Sequence, residues 1–228
     1  IPVHLGATAN AIRKSWTETS LGRTKFGEHE FREFRTGSRV KVGSIEVEPI
    51  HVDHSTPGAY GFVIHTSEGA VAYTGDLRLH GPRGDMTEEF IERAVAERPI
   101  AMVCEGTRVS DNDPREDMSE GDVGQRALEL VRANPKLAIV SFYPKDVDRI
   151  RTFRDVARDT GRKFVVSAKV AHMLKALQDD PRIDVPDPLK DSSMLVYVRQ
   201  MANIEKVKYE KIYSDMLEKH EHVVDSDF

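Results

Sequence analysis

The chain has 228 residues, 39% of them hydrophobic and 31% charged, enough to bury a core in one large or two small domains. A net charge of −5 excludes bulk attraction to nucleic acid, although not a local one, and no apolar run approaches the ~20 residues needed to cross a bilayer. The single cysteine, Cys104, excludes an internal disulfide and fits a reducing, cytoplasmic setting. An apolar start at Ile1 and an end in HEHVVDSDF read like cuts, so an internal fragment of a longer protein is expected.

Pro2 to Leu5 predicts a short strand, with a helix through Ala9 to Trp16. From Glu30 to Val52 the pattern becomes that of strands: FREFR, then SRVKVGSIEVEPIHV, where apolar and polar residues alternate about Gly43 as in a half-buried antiparallel hairpin. YGFVIHTSEGAVAYTGD repeats the figure with its turn at Ser67-Glu68-Gly69. After Met86 the period changes. TEEFIERAVAER predicts an amphipathic helix with Thr87 as cap, and PIAMVCEGT a short apolar strand that buries Cys104.

A polar loop, RVSDNDPREDMSE, leads to the helix EGDVGQRALELVRAN, the buried strand KLAIVSFYP, the helix KDVDRIRTFRDVARDTG and the strand RKFVVSA. A Pro- and Asp-rich stretch over 180–193 precedes the strand MLVYVRQ and a charged final helix, ANIEKVKYEKIYSDMLEKHE, on which His220-Glu221-His222 reads as a solvated face. Strands alternating with helices of this length predict a doubly wound parallel sheet. The expected fold is therefore α/β, with a strand-rich region over 1–105 and a parallel-sheet region over 106–228.

Two strands end at candidate ligands, one at His54 and one at Asp76 in Thr-Gly-Asp. From the pattern alone turn chemistry is the favoured explanation, because Pro57-Gly58 and Gly75-Asp76 are ordinary turn dipeptides. Convergence on a metal is the other reading, since zinc accepts imidazole and carboxylate donors. His51, Asp53, His65 and His80 read as a packed or edge histidine, a solvated acid, a strand-surface residue and a turn residue.

Taken in order, HSTPGAYGFVIHTSEGAVAYTGDLR resembles the later motifs of the metallo-β-lactamase fold: a ligand His, a hairpin, then a bridging Asp. MVCEGTR supplies an acid at a strand end, and with SFYPKDVDRIRTF and TGRKFVVS it resembles the β-CASP nucleases, the branch that includes RNase J and the cleavage and polyadenylation endonuclease, nearest to archaeal-type members. The resemblance implies a partial αββα lactamase sandwich over 1–105 and an incomplete β-CASP insertion over 106–228. It implies a hydrolase acting on RNA through two zinc ions about 3.5 to 4 Å apart. His54 and Asp76 would be metal ligands, and Asp76 and Glu105 the catalytic acids, with Asp76 bridging the ions and Glu105 orienting a metal-bound His.

The sequence departs from that family in having no His-x-His-x-Asp-His cluster, so zinc binding and hydrolysis by this chain alone are not expected. Endonucleolytic and exonucleolytic modes both remain open, and so does a homodimer; a membrane partner is not expected. A hydrolase of small esters or lactones and a silent subunit binding RNA or a partner protein are the alternatives. For RNA contact the candidates are Ser141, Tyr143, Lys145 and Arg149, where a phosphate would meet a helix start. Arg149, Arg151, Arg154 and Arg158 interleave with Asp146, Asp148, Asp155 and Asp159, so a salt-bridged solvent face is the favoured reading of that helix.

Overall fold

The structure, a computed structural model, describes residues 2–20, 29–107, 118–199, 204–218 and 220–224. Most of the expected polar loop after Thr107 lies outside them. Contacts divide the chain into two units, residues 1–9 with 30–120 and residues 10–29 with 121–228. The boundary expected after residue 105 compares with one after 120, and residues 10–29 join the second unit.

In the first unit, β1 (Val3–Gly6) pairs in parallel with β2 (Phe31–Phe34), and helix α1 (Ala7–Glu18) starts where β1 ends. The alternating segments form β3 (Val40–Val42), β4 (Ile45–His51), β5 (Tyr60–Thr66) and β6 (Gly69–Tyr73), an antiparallel meander that β7 (Ala101–Val103) extends in parallel. Period-2 alternation gives this sheet two faces. Ile50, Val63, Ala70 and Ala72 are buried with Phe90 and Ala94 of α2 (Gly84–Ala96). On the opposite face Phe34 meets Tyr60 edge-on at 5.0 Å and Phe62 at 6.0 Å, so the β1–β2 pair covers it. Cross-strand partners Ile50 and Gly61 face α2, where the bare Gly61 backbone admits the Phe90 ring.

Two expectations fail here. Thr87 lies inside α2, fully buried, and Arg83 occupies the cap position without a side-chain cap bond. β7 is not a buried strand: Met102 is 67% exposed and Cys104 is exposed with it. An apolar run is buried only where layers cover both its faces, and β7 is the last strand of the sheet.

The second unit contains α3 (Glu120–Ala133), α4 (Val147–Asp159), β8 (Phe164–Ser167), α5 (Ala168–Leu177), β9 (Met194–Tyr197), α6 (Ile204–Leu217) and β10 (Val223–Val224). β8, β9 and β10 form an all-parallel sheet in sequence order. Its core joins Ile150 of α4, Met173, Leu174 and Leu177 of α5, and Met194 and Val196 of β9. Winding to both sides of a first strand is not seen among the described residues.

The expected strand KLAIVSFYP is irregular, with Leu137 and Ile139 82% and 88% exposed. Its backbone enters no described ladder; instead the Arg162 guanidinium donates to the carbonyls of Val131, Asn134 and Lys136, while Val140 and Phe142 pack inward. Helix α5 was not anticipated, although Ser167 caps it by accepting from the Val170 amide at 3.4 Å. His220–His222 form a 3-10 turn outside the helix. His222 is not solvated as expected, because the turn feeds β10 into the sheet and leaves its Nδ1 buried.

Candidate functional site

The segment after β4 folds back on itself. The Gly58 amide donates to His51 Nε2 at 3.2 Å, and the His51 ring stacks on Tyr60 at 4.9 Å, as a packed histidine should. Gly58 has φ +91, and a Cβ there would meet the Ala9 nitrogen at 2.6 Å, so only glycine closes this loop. His54 is thereby held half-buried. Its Nδ1 accepts from the Thr56 amide at 3.4 Å.

Asp76 follows β6 on a turn with Gly75 at φ +58, where a Cβ would lie 2.5 Å from the Tyr60 carbonyl. Its carboxylate is exposed and makes no hydrogen bond among the described residues. Around it the backbone is fixed. The Thr74 amide donates to the Val103 carbonyl at 3.0 Å, and Thr74 Oγ1 accepts from the Glu105 amide at 3.1 Å. Glu105 returns the contact: Oε1 accepts from the Leu77 amide at 2.7 Å and Oε2 from the Thr107 hydroxyl at 2.7 Å.

The Thr107 hydroxyl, followed by the Leu77 amide, holds the Glu105 carboxyl below its ordinary range against the opposing effect of burial, and the nearby His54 adds to this. Glu105 is therefore an anion that clamps the turn carrying Asp76 and lies within electrostatic reach of His54.

A second brace was not legible in the sequence. Asp53 is not solvated but buried, and its carboxylate receives Arg78 through Nη2 at 3.1 Å and Nε at 3.2 Å. The Arg78 amide donates to the Asp53 carbonyl at 3.0 Å, while Thr87 Oγ1 accepts from the Asp53 amide and donates to the Arg78 carbonyl. Asp53 precedes His54 and Arg78 follows Asp76 by two residues, so this network ties the two candidate loops to each other and to α2. Thr87, expected as a helix cap, gave no sequence signal of this pairing.

The donors at hand are one imidazole and one free carboxylate, with Glu105 engaged by Leu77 and Thr107. Among the described residues no group of three His, Cys, Asp or Glu side chains is gathered to hold a metal ion. Zinc takes donors of these types, but a catalytic zinc site uses three protein ligands. The set is thus partial. His65 lies on β5 and His80 on an exposed turn, both as expected.

In the second unit, Ser141 and Tyr143 are exposed and Lys145 is half-buried, while Arg149 sits in the first turn of α4. The end of that helix is already served: Asp146 caps it by accepting from the Arg149 amide at 3.0 Å. Its carboxylate competes with any phosphate there. Further along, Arg154 pairs with Asp155 and Asp191 at 3.1 Å each, Arg158 with Asp155 at 2.9 Å and Asp159 at 3.0 Å, and Arg151 with Asp148. The salt-bridged reading of this face accounts for these arginines.

The first unit is a layered sheet whose braced loop and turn carry His54 and Asp76, with Glu105 hydrogen-bonded to the Asp76 turn; the second is a parallel α/β unit. No family model matches the chain. It is similar to ribonuclease J of Sinorhizobium meliloti, 32% identical over 139 residues that make up 58% of this chain and 24% of that protein. It is also similar to ribonuclease J of Mycobacterium tuberculosis, 29% identical over 153 residues, 65% of this chain and 27% of that one. The chain thus spans about a quarter of the length of the curated relatives it matches. A crystal structure of a protein of unknown function from Enterococcus faecalis V583 shares the fold, with a TM-score of 0.68 at 22% identity, over 100% of this chain and 50% of that one. Among the described residues no helix is long and apolar enough to cross a membrane.

Proposed function

We propose that the chain is part of a zinc-dependent ribonuclease of the metallo-β-lactamase and β-CASP type, acting on RNA in processing or decay. The observation that carries this reading is the double brace: Asp53–Arg78–Thr87 and Glu105–Leu77 hold the His54 loop and the Asp76 turn, the two positions at which the sequence resembles that family. Similarity to ribonucleases J over part of the chain supports the substrate class.

In this reading His54 and Asp76 are two of the zinc ligands, and further ligands come from sequence outside this chain. Bound zinc would supply an activated water to attack the phosphodiester. The residues present position that chemistry. Asp76 offers an unpaired carboxylate on a turn that Gly75 and Glu105 fix, and Asp53 with Arg78 prevents the two loops from drifting apart. Unsupported ligands hold a metal poorly, so the brace is part of the site.

The test is cleavage of a labelled single-stranded RNA by the protein of the complete reading frame, beside its Asp76→Asn variant and beside generic ester and lactone substrates. RNA cleavage that Asp76→Asn abolishes supports the proposal. Turnover of the esters or lactones without RNA cleavage overturns it in favour of a small-molecule hydrolase, and RNA binding without any turnover makes the protein a silent binding subunit.

A further inference from the structure

Two lysines from separate turns of the second unit converge on the one tryptophan of the chain. Lys169 Nζ lies 4.1 Å from the centroid of the Trp16 ring and Lys145 Nζ lies 5.1 Å from it, with the Tyr143 ring 5.9 Å from Lys145 Nζ. Lys169 donates to Ser20 Oγ at 3.3 Å, and neither ammonium has a carboxylate partner among the described residues. Of the arginines of α4, Arg151, Arg154 and Arg158 are paired with aspartates.

Two like charges gathered on one partly buried ring repel each other, and contact with an indole face offsets that repulsion only in part. Burial lowers the Lys169 ammonium below its ordinary pKa, and the nearby Lys145 adds to this. An anion between the two nitrogens would remove the repulsion. The position suits a ligand. Lys169 stands in the first turn of α5 directly after β8, and Lys145 on the turn into α4, so both lie on turns leading into helices of a parallel α/β unit, one of them at the carboxyl end of a strand, where such folds bind ligands. Beside them Tyr143 is 57% exposed. Cations interleaved with an exposed aromatic ring are what single-stranded nucleic acid requires, a clamp for phosphate and a platform for a base.

We propose that Lys145 and Lys169, gathered on Trp16, hold a backbone phosphate of single-stranded RNA while Tyr143 stacks on an adjacent base. The choice of RNA rests on the ribonuclease reading; the anion site does not. This moves the RNA contact from the capped end of α4 to a cluster drawn from α1, the α4 turn and α5.

Trp16 reports on its own site because it is the only tryptophan. The experiment titrates this chain with an oligouridylate of about a dozen nucleotides, reading Trp16 emission, in parallel with inorganic phosphate. It is repeated on Lys145→Gln/Lys169→Gln and on Lys145→Arg/Lys169→Arg, each checked by a circular-dichroism melt. The expected result is saturable quenching that weakens with salt, a loss of about tenfold or more in the Gln pair with a shallower salt dependence, and retention in the Arg pair, whose folding controls for any failure of the Gln pair. RNA binding that leaves Trp16 emission and the Gln pair unaffected overturns the proposal, as does an absence of binding. Equal quenching by inorganic phosphate at the same concentration also overturns it, reducing the cluster to a free-anion site. If the complete protein fails to cut RNA while Trp16 still responds, the nuclease reading alone falls; if it cuts RNA as well with the Gln pair as without, this proposal alone falls.

Discussion

Asp53 and Arg78 form a buried bidentate ion pair, their side chains 3% and 13% exposed, between the loop that carries His54 and the turn that carries Asp76. Removing one partner leaves the other as an uncompensated buried charge, which costs about 3 to 5 kcal/mol. Arg78→Met is therefore expected to lower the unfolding free energy of the chain by roughly that amount, and the double variant Asp53→Asn/Arg78→Met by clearly less. Urea denaturation of the three proteins checks this. Equal losses in the single and double variants would show that the Asp53 carboxylate left alone bears no such penalty.

Gly75 and Gly43 both have positive φ, +58 and +64, but differ in their surroundings. A Cβ at Gly43 meets nothing within 4 Å, whereas at Gly75 it meets the Tyr60 carbonyl at 2.5 Å. Gly43→Ala is expected to cost about 1 kcal/mol from backbone strain alone, and Gly75→Ala distinctly more, because the Asp76 turn must move. Thermal melts of both variants give the comparison. A Gly75→Ala protein as stable as Gly43→Ala would mean the turn is not tightly held.

Asp191 gives a pH dependence. Burial pushes its carboxyl up, but the Ser193 hydroxyl and amide, together with Arg154, outweigh burial and hold it below the ordinary value of 3.8. A depressed folded pKa contributes stability that is complete above the unfolded value and is lost as pH falls through the folded one. Stability is thus expected to decline below about pH 4, with a smaller decline in Asp191→Asn. Denaturation midpoints for both proteins between neutral pH and pH 3 test it, and parallel curves would remove Asp191 from the account.

The β7 edge carries exposed Met102 and Val103 beside Ile100. Exposed apolar edge strands pair with other chains. Concentration-dependent self-association is expected by sedimentation velocity, and Met102→Lys/Val103→Lys is expected to suppress it without lowering the melting temperature. Association that persists in the variant would place the contact elsewhere.

The hairpins around Gly43 and Ser67-Glu68 were legible because alternation and turn residues are local signals, and the same holds for the capped periodicity of α4. KLAIVSFYP misled because a continuous apolar run specifies burial, and a strand additionally needs a partner whose identity is not local. Cys104 misled for the same reason. Of the site, His54, Asp76 and Glu105 were readable from strand ends and from resemblance. Asp53, Arg78 and Thr87 were not, since their meaning lies in a pairing across 25 and 34 residues that no spacing encodes. Likewise Trp16 and Lys169 stand far from Lys145 in sequence, so only the folded chain joins them.

Elemental analysis of the protein of the complete reading frame, purified without a histidine tag, asks whether His54 and Asp76 are zinc ligands. About two zinc ions per chain are expected, with a clear loss of metal in His54→Ala and Asp76→Ala and almost none bound to the present chain alone. Stoichiometric zinc in both variants, or on the present chain by itself, would contradict the assignment.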